Sequence, residues 1–152
     1  MLKRTGALAV AIILGALTLS GCAANPDVSS LETELQTVPG VDAARATVAH
    51  SGAPWNTDIV VLLFVEDPTV DSVADVTRAS APVFLADDAT AKRGVSLFVT
   101  DADPTEYDPV THSSTQNFQN MDSVADELGV GSGSGGLLVL SGDDLRALAD
   151  AQ

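Results

Sequence analysis

The chain has 152 residues, with 21 Asp and Glu against 7 Lys and Arg and a formal net charge of −14. A surface of that sign lacks the Lys and Arg that neutralise nucleic-acid phosphates or hold a protein flat on anionic lipid, so no nucleic-acid partner is expected. The length suits one domain, and the single cysteine, Cys22, leaves no disulfide framework to support it.

The first element in chain order is an export signal. Lys3 and Arg4 give a short positive start, residues 6–19 are almost purely apolar, and Ser20 and Gly21 precede Cys22. That order is the one a secretory signal peptide follows. The apolar run is short against the roughly 20 residues of a spanning helix. Leu19-Ser20-Gly21-Cys22 resembles the lipobox of bacterial lipoproteins. The resemblance implies a diacylglycerol on the Cys22 thiol, cleavage just before Cys22, and a cell-membrane anchor on the extracytoplasmic face. The division expected is a signal peptide over 1–21, the lipidated Cys22 and a short tether over 22–27, and one α+β domain over 28–152. Processing takes away Lys3 and Arg4 and no acid, leaving 21 acidic residues against five basic and a net charge of −16. Such a charge keeps a domain dispersed and favours basic partners.

Ser29 and Glu32 have capping-box spacing. Val28, Leu31, Leu35 and Val38 then recur at helical period, and Pro39-Gly40 ends the helix. Strands are expected over roughly 43–49 and 58–66. The run Ile59-Val60-Val61-Leu62-Leu63-Phe64-Val65 is apolar throughout, the pattern of a strand buried on both faces. Between the two lies a turn-rich loop, Ser51-Gly52-Ala53-Pro54-Trp55-Asn56. A helix from Thr69 carries Val70, Val73, Ala74 and Thr77 on one face, and Pro82 is expected to break it or begin a new turn. Val95, Leu97 and Val99 alternate as in a strand. Residues 101–119 read as a long polar loop. Met121, Val124, Ala125 and Leu128 mark a short helix ended by Gly129. Gly131–Gly136 reads as a flexible loop, Leu137–Leu140 as a compact strand, and Ser141 with Asp144 as the cap of a last helix. Asp71-Ser72-Val73-Ala74-Asp75 recurs as Asp122-Ser123-Val124-Ala125-Asp126, each opening a helix.

The order α-β-β-α-β, loop, α-β-α predicts an α+β fold, a small mixed or antiparallel sheet with helices on one face. Residues 29–81 are similar to ferredoxin-like modules of the heavy-metal-associated type. The similarity lies in a helix ending Leu35-Gln36-Thr37-Val38-Pro39-Gly40-Val41, then a hairpin, then Glu66-Asp67-Pro68 before a helix. The first strand and the Cys-x-x-Cys loop of that family are missing, so no metal chemistry transfers; Leu137–Leu140 is a candidate for the missing strand position.

Few residues offer chemistry. Gly131-Ser132-Gly133-Ser134-Gly135-Gly136 matches G-x-G-x-x-G, but it follows a helix and opens a strand, the reverse of a dinucleotide site. Asp101, Asp103, Glu106 and Asp108 are the one oxygen cluster with any calcium character, yet they lack the Gly and Glu positions of an EF-hand loop. His50 and His112 are the only histidines, fewer than the three or four ligands of a zinc site. Trp55 is a candidate partner contact, Trp being enriched at interface hot spots. No metal or other cofactor is expected. The reading is a non-catalytic, membrane-anchored binding or accessory module for a protein or peptide partner. An envelope enzyme with His50 or His112 as base, or a structural envelope protein, is the alternative.

Overall fold

The apolar run becomes the strand that organises the sheet. In the computed structural model, which describes residues 25–53, 56–107 and 119–152, Thr57–Phe64 forms β2. It pairs antiparallel with β1 (Ala43–His50) and parallel with β3 (Val95–Thr100). β3 pairs antiparallel with β5 (Leu137–Leu140), which closes a hairpin with β4 (Ser132–Ser134). The order is β1-β2-β3-β5-β4. The helices are α1 (Ser29–Leu35), α2 (Val70–Ala86), α3 (Asp88–Arg93), α4 (Met121–Leu128) and α5 (Gly142–Asp150). The fold is α+β with a five-stranded mixed sheet and helices packed against it, compatible with a ferredoxin-like arrangement. The strand beside the hairpin is β3, reached through α2 and α3, and not Leu137–Leu140; a strand leaving a helical crossover returns parallel to its predecessor.

Alternation along β2 sorts its side chains between two faces. Ile59, Val61 and Leu63 join Leu31, Leu35, Val73, Phe84, Leu97, Val124, Leu138 and Leu145 in one apolar core beneath the helices. Leu62 and Phe64 point the other way and are still 7% and 1% exposed. The cover over Phe64 comes from the segment after β3. The Tyr107 ring meets Phe64 edge-on with centroids 5.4 Å apart, and the Arg45 guanidinium lies over both rings, 5.7 Å from Phe64 and 5.3 Å from Tyr107. Arg45 also donates to the Pro104 carbonyl at 2.8 Å. Helices therefore cover one face of β2 and a folded-back loop covers the other.

Three local expectations change and a fourth holds. The Ser29–Glu32 capping box does not form. Asp27 Oδ1 instead accepts from the Ser29 N–H at 3.0 Å, and Glu32 reaches across to accept from the Ala46 N–H at 2.7 Å. That bond engages an outward amide of the edge strand β1, one of the groups an unprotected edge offers to another chain. α2 runs through Pro82 without a break. Pro82 has no N–H for the Arg78 carbonyl four residues back; Gln152 Nε2 takes that place at 2.7 Å, and the Pro82 ring is exposed. The Gly/Ser stretch is not a flexible loop. Its middle, Ser132–Ser134, is β4, and Gly135, at φ +58, opens the tight Gly135-Gly136 turn into β5. The last expectation, a capping box at Ser141 and Asp144, is met in full, with Ser141 Oγ accepting from the Asp144 N–H and Asp144 Oδ2 accepting from Ser141 N–H and Oγ–H.

The hairpin also locks onto α4. Gly135 N–H donates to Asp122 Oδ2 at 3.1 Å, and the Gly135 carbonyl accepts from the Met121 N–H at 2.7 Å. A Cβ on Gly133 would lie 2.4 Å from the Met121 carbonyl and 2.5 Å from Asp122 Cα. The glycine is there because backbone packs on backbone. Both Asp-Ser-Val-Ala-Asp segments open crossover helices, α2 after β2 and α4 after β3, and each buries its Val fully in the core. Their match thus follows a shared structural job: an acid in the first turn and a Val facing the sheet.

Candidate functional site

β2, β3 and β4 run in one direction, so the sheet has two distinct ends. One, the loop end, holds the C-terminal ends of β2 and β3 and the first turns of α2 and α4. The other, the hairpin end, holds the β1–β2 turn, the start of β3 and the end of β5. In sheets with parallel strands the C-terminal ends are where loops free to vary collect.

The loop end carries the acidic segment singled out in the sequence. Asp101 and Asp103 are exposed, and so is Glu106. Asp103 folds onto its own chain: Oδ1 accepts from the Thr105 N–H and from Thr105 Oγ1, both at 2.7 Å, and the Glu106 N–H donates to the Asp103 carbonyl at 3.1 Å. The Thr105 hydroxyl, then its N–H, holds the Asp103 carboxyl below its ordinary value of 3.8. Asp67 does a related job at the foot of α2, its Oδ1 accepting from the Thr69 N–H at 3.1 Å. Asp103 and Asp67 therefore shape turns. Asp108 lies outside the described residues. Among the described residues no group of three or more His, Cys, Asp or Glu is placed to hold a metal ion.

Sequence reasoning missed the Arg45 stack that pins this segment to the sheet. Its signal was present: Arg45 is the only charged residue inside the strand Ala43–His50, and a long cation in a strand among small residues has either to leave into water or to lie along an apolar surface. Here it lies along Phe64 and Tyr107.

At the hairpin end, His50 closes β1, and its Nε2 pairs with Asn25 Oδ1 at 3.1 Å. An amide orients the imidazole there, not the carboxylate that typically supports a catalytic base. The turn is built from Ser51 and Asn56: Ser51 N–H donates to the Asn56 carbonyl at 3.2 Å, Asn56 Nδ2 donates back to the Ser51 carbonyl at 2.9 Å, and the Ser51 hydroxyl donates to Asp58. Cys22, Trp55 and His112 lie outside the described residues. An open cleft of about 550 Å³ lies beside α4 and β4, lined by Asp122, Ala125, Asp126 and residues 129–133.

Among the described residues no helix is long and apolar enough to cross a membrane. Comparison of the chain with known protein families, with curated proteins and with solved structures gives no match in any of the three.

Proposed function

We propose that this protein is a membrane-anchored extracytoplasmic lipoprotein, and that its single α+β domain is a non-catalytic binding or accessory module for a protein or peptide partner. The observation that supports the reading best is the junction between anchor and fold. Among the described residues the first contacts are Asn25 on His50 and Asp27 on Ser29, and Asn25 is three residues beyond Cys22 in sequence. A lipid on Cys22 would therefore hold the domain directly. Two acyl chains, each buried CH₂ contributing about 0.8 kcal/mol, anchor firmly where one is marginal. The exported charge of −16 favours a basic partner, and the loop end offers it Glu66, Asp67, Asp101, Asp103 and Glu106.

Detergent phase partitioning of cells, followed by protease treatment of intact cells or spheroplasts, tests the reading. The protein is expected in the detergent phase and open to protease from outside. Recovery in the aqueous phase, or protection inside the cytoplasm, would overturn it. Cross-linking in the native membrane tests the binding role: a variant with Glu66→Gln, Asp67→Asn, Asp101→Asn and Glu106→Gln should lose its cross-linked partner while keeping its melting temperature.

A further inference from the structure

We infer that the domain stands on the membrane with its hairpin end against the lipid headgroups and its acidic loop end directed away. This rests on lipid attachment at Cys22, and the geometry does the rest. Asn25 sits on His50, at the last residue of β1. From Cys22 to Asn25 is three residues, a reach of about 10 Å fully extended. The β1–β2 turn must then lie within headgroup distance of the anchor. β2 spans eight residues from Thr57 to Phe64, so the loop end is lifted a further ~25 Å along the strand, beyond the ~8 Å over which salt screens a charged surface.

The placement of the few cations agrees. The exported chain has five basic residues: Arg45, Arg78, Lys92, Arg93 and Arg146. Arg45 is packed over Phe64 and Tyr107, and Arg78 pairs with Asp75 on the outer surface of α2. The other three collect at the hairpin end. Lys92 and Arg93 close α3 immediately before β3 begins, both exposed. Arg146 follows β5, and the Gly142 backbone beside its guanidinium packs against the Ala91 carbonyl, so α3 and α5 bring these cations to one corner. Acids outnumber these cations there, and the bonds they make leave them charged: Asp87 caps α3 through Ala89 and Thr90, Asp88 pairs with Lys92, Asp143 with Arg146, Asp144 bonds at the start of α5, Asp58 holds the turn, and Asp126 lies on α4. The hairpin end is still the less negative of the two, because the one cation near the loop end is Arg45, stacked on Phe64 and Tyr107. Arg93 makes no ion pair among the described residues and is open to a lipid phosphate. Tipping the other way would press Glu66, Asp67, Asp101, Asp103 and Glu106 toward anionic headgroups, which repel them.

The test uses the full lipidated protein in vesicles of phosphatidylcholine with phosphatidylglycerol. A thioether on Cys22 cannot react with a thiol probe, so a nitroxide label goes only to a new cysteine, Ala53→Cys in the turn or Glu66→Cys at the loop end. The expected result is loss of collisions with a water-soluble relaxer at position 53 and full access at position 66. Equal access at both positions, or deeper placement of 66, would overturn the orientation. A chain that does not float with the vesicles and whose N-terminal peptide lacks the acyl mass would overturn the anchor itself, and mass spectrometry separates that failure from the first.

Discussion

Truncating Phe64 to Ala removes the side chain that joins the sheet to the loop on its second face. The ring is 1% exposed, so its full transfer energy is lost, about 1.5–3 kcal/mol. The edge-on contact with Tyr107 and the Arg45 cation above it add about 0.5–1.5 kcal/mol each in such settings. Measured Phe→Ala changes in cores run to about 3–5 kcal/mol. Phe64 belongs at the lower end, because the 101–107 segment can settle into the gap more easily than a helix can. About 3 kcal/mol is the expected loss. Taking about 2.1 cal/mol/K of unfolding entropy per residue over residues 25–152, this lowers Tm by roughly 10 °C. The assay is thermal and urea unfolding of the soluble domain, with Phe64→Leu as the conservative control expected to lose far less. Arg45→Met should cost less alone, and the double variant should fall short of the sum, as contacting pairs do. An unchanged Tm in Phe64→Ala, or strict additivity with Arg45→Met, would refute the two-sided burial of β2.

The remaining predictions concern local devices. Gly133→Ala puts a Cβ into the Met121–Asp122 backbone and should cost about 1–3 kcal/mol, read as a drop in Tm; no drop would mean that β4 does not pack on α4. Pro82→Ala returns an N–H to α2 and should stabilise by about 1–3 kcal/mol, while Gln152→Ala should destabilise the wild type and leave the Pro82→Ala variant nearly unchanged; an equal effect in both backgrounds would contradict the link. Partial burial raises the Asp144 carboxyl, but the Ser141 hydroxyl and N–H and the Gly131 N–H outweigh it, so its pKa lies below the ordinary 3.8. A depressed carboxylate contributes stability above its unfolded pKa and loses it as pH falls through the folded value, so Asp144→Asn should destabilise at neutral pH and match the wild type once the pH drops well below 3.8; a gap that stays constant with pH would contradict this.

Much of this fold is legible in the sequence because its signals are local. The run Ile59–Val65 is apolar at every position, and only burial on both faces accommodates that. Val95, Leu97 and Val99 alternate and all turn to the core. Gly129 ends α4 in the left-handed conformation and Ser141 caps α5, each a rule that acts within a few residues. What sequence reasoning loses is contact between distant segments. Pro82 reads as a break because the donor that replaces its N–H is Gln152, seventy positions away. Gly131–Gly136 reads as a flexible loop because nothing local shows that Gly133 is required by the α4 backbone. Glu32 reads as half of a capping box because its true partner, the Ala46 amide, is on another element. The candidate site divides in the same way. The acids after β3 are visible as residue types, but the Arg45–Phe64–Tyr107 stack that fixes their segment depends on three separate stretches of chain meeting.

Lipid attachment at Cys22 is the claim on which the functional reading turns, and metabolic labelling with a fatty acid reaches it most directly. Cells expressing the wild-type chain or Cys22→Ser would be labelled, fractionated and compared by fluorography and by the mass of the N-terminal peptide. The wild type should carry label and remain with the membrane; Cys22→Ser should carry none and be released or mislocalised. Label retained in Cys22→Ser, or a wild-type chain with an unmodified Cys22, would contradict the anchored-module account.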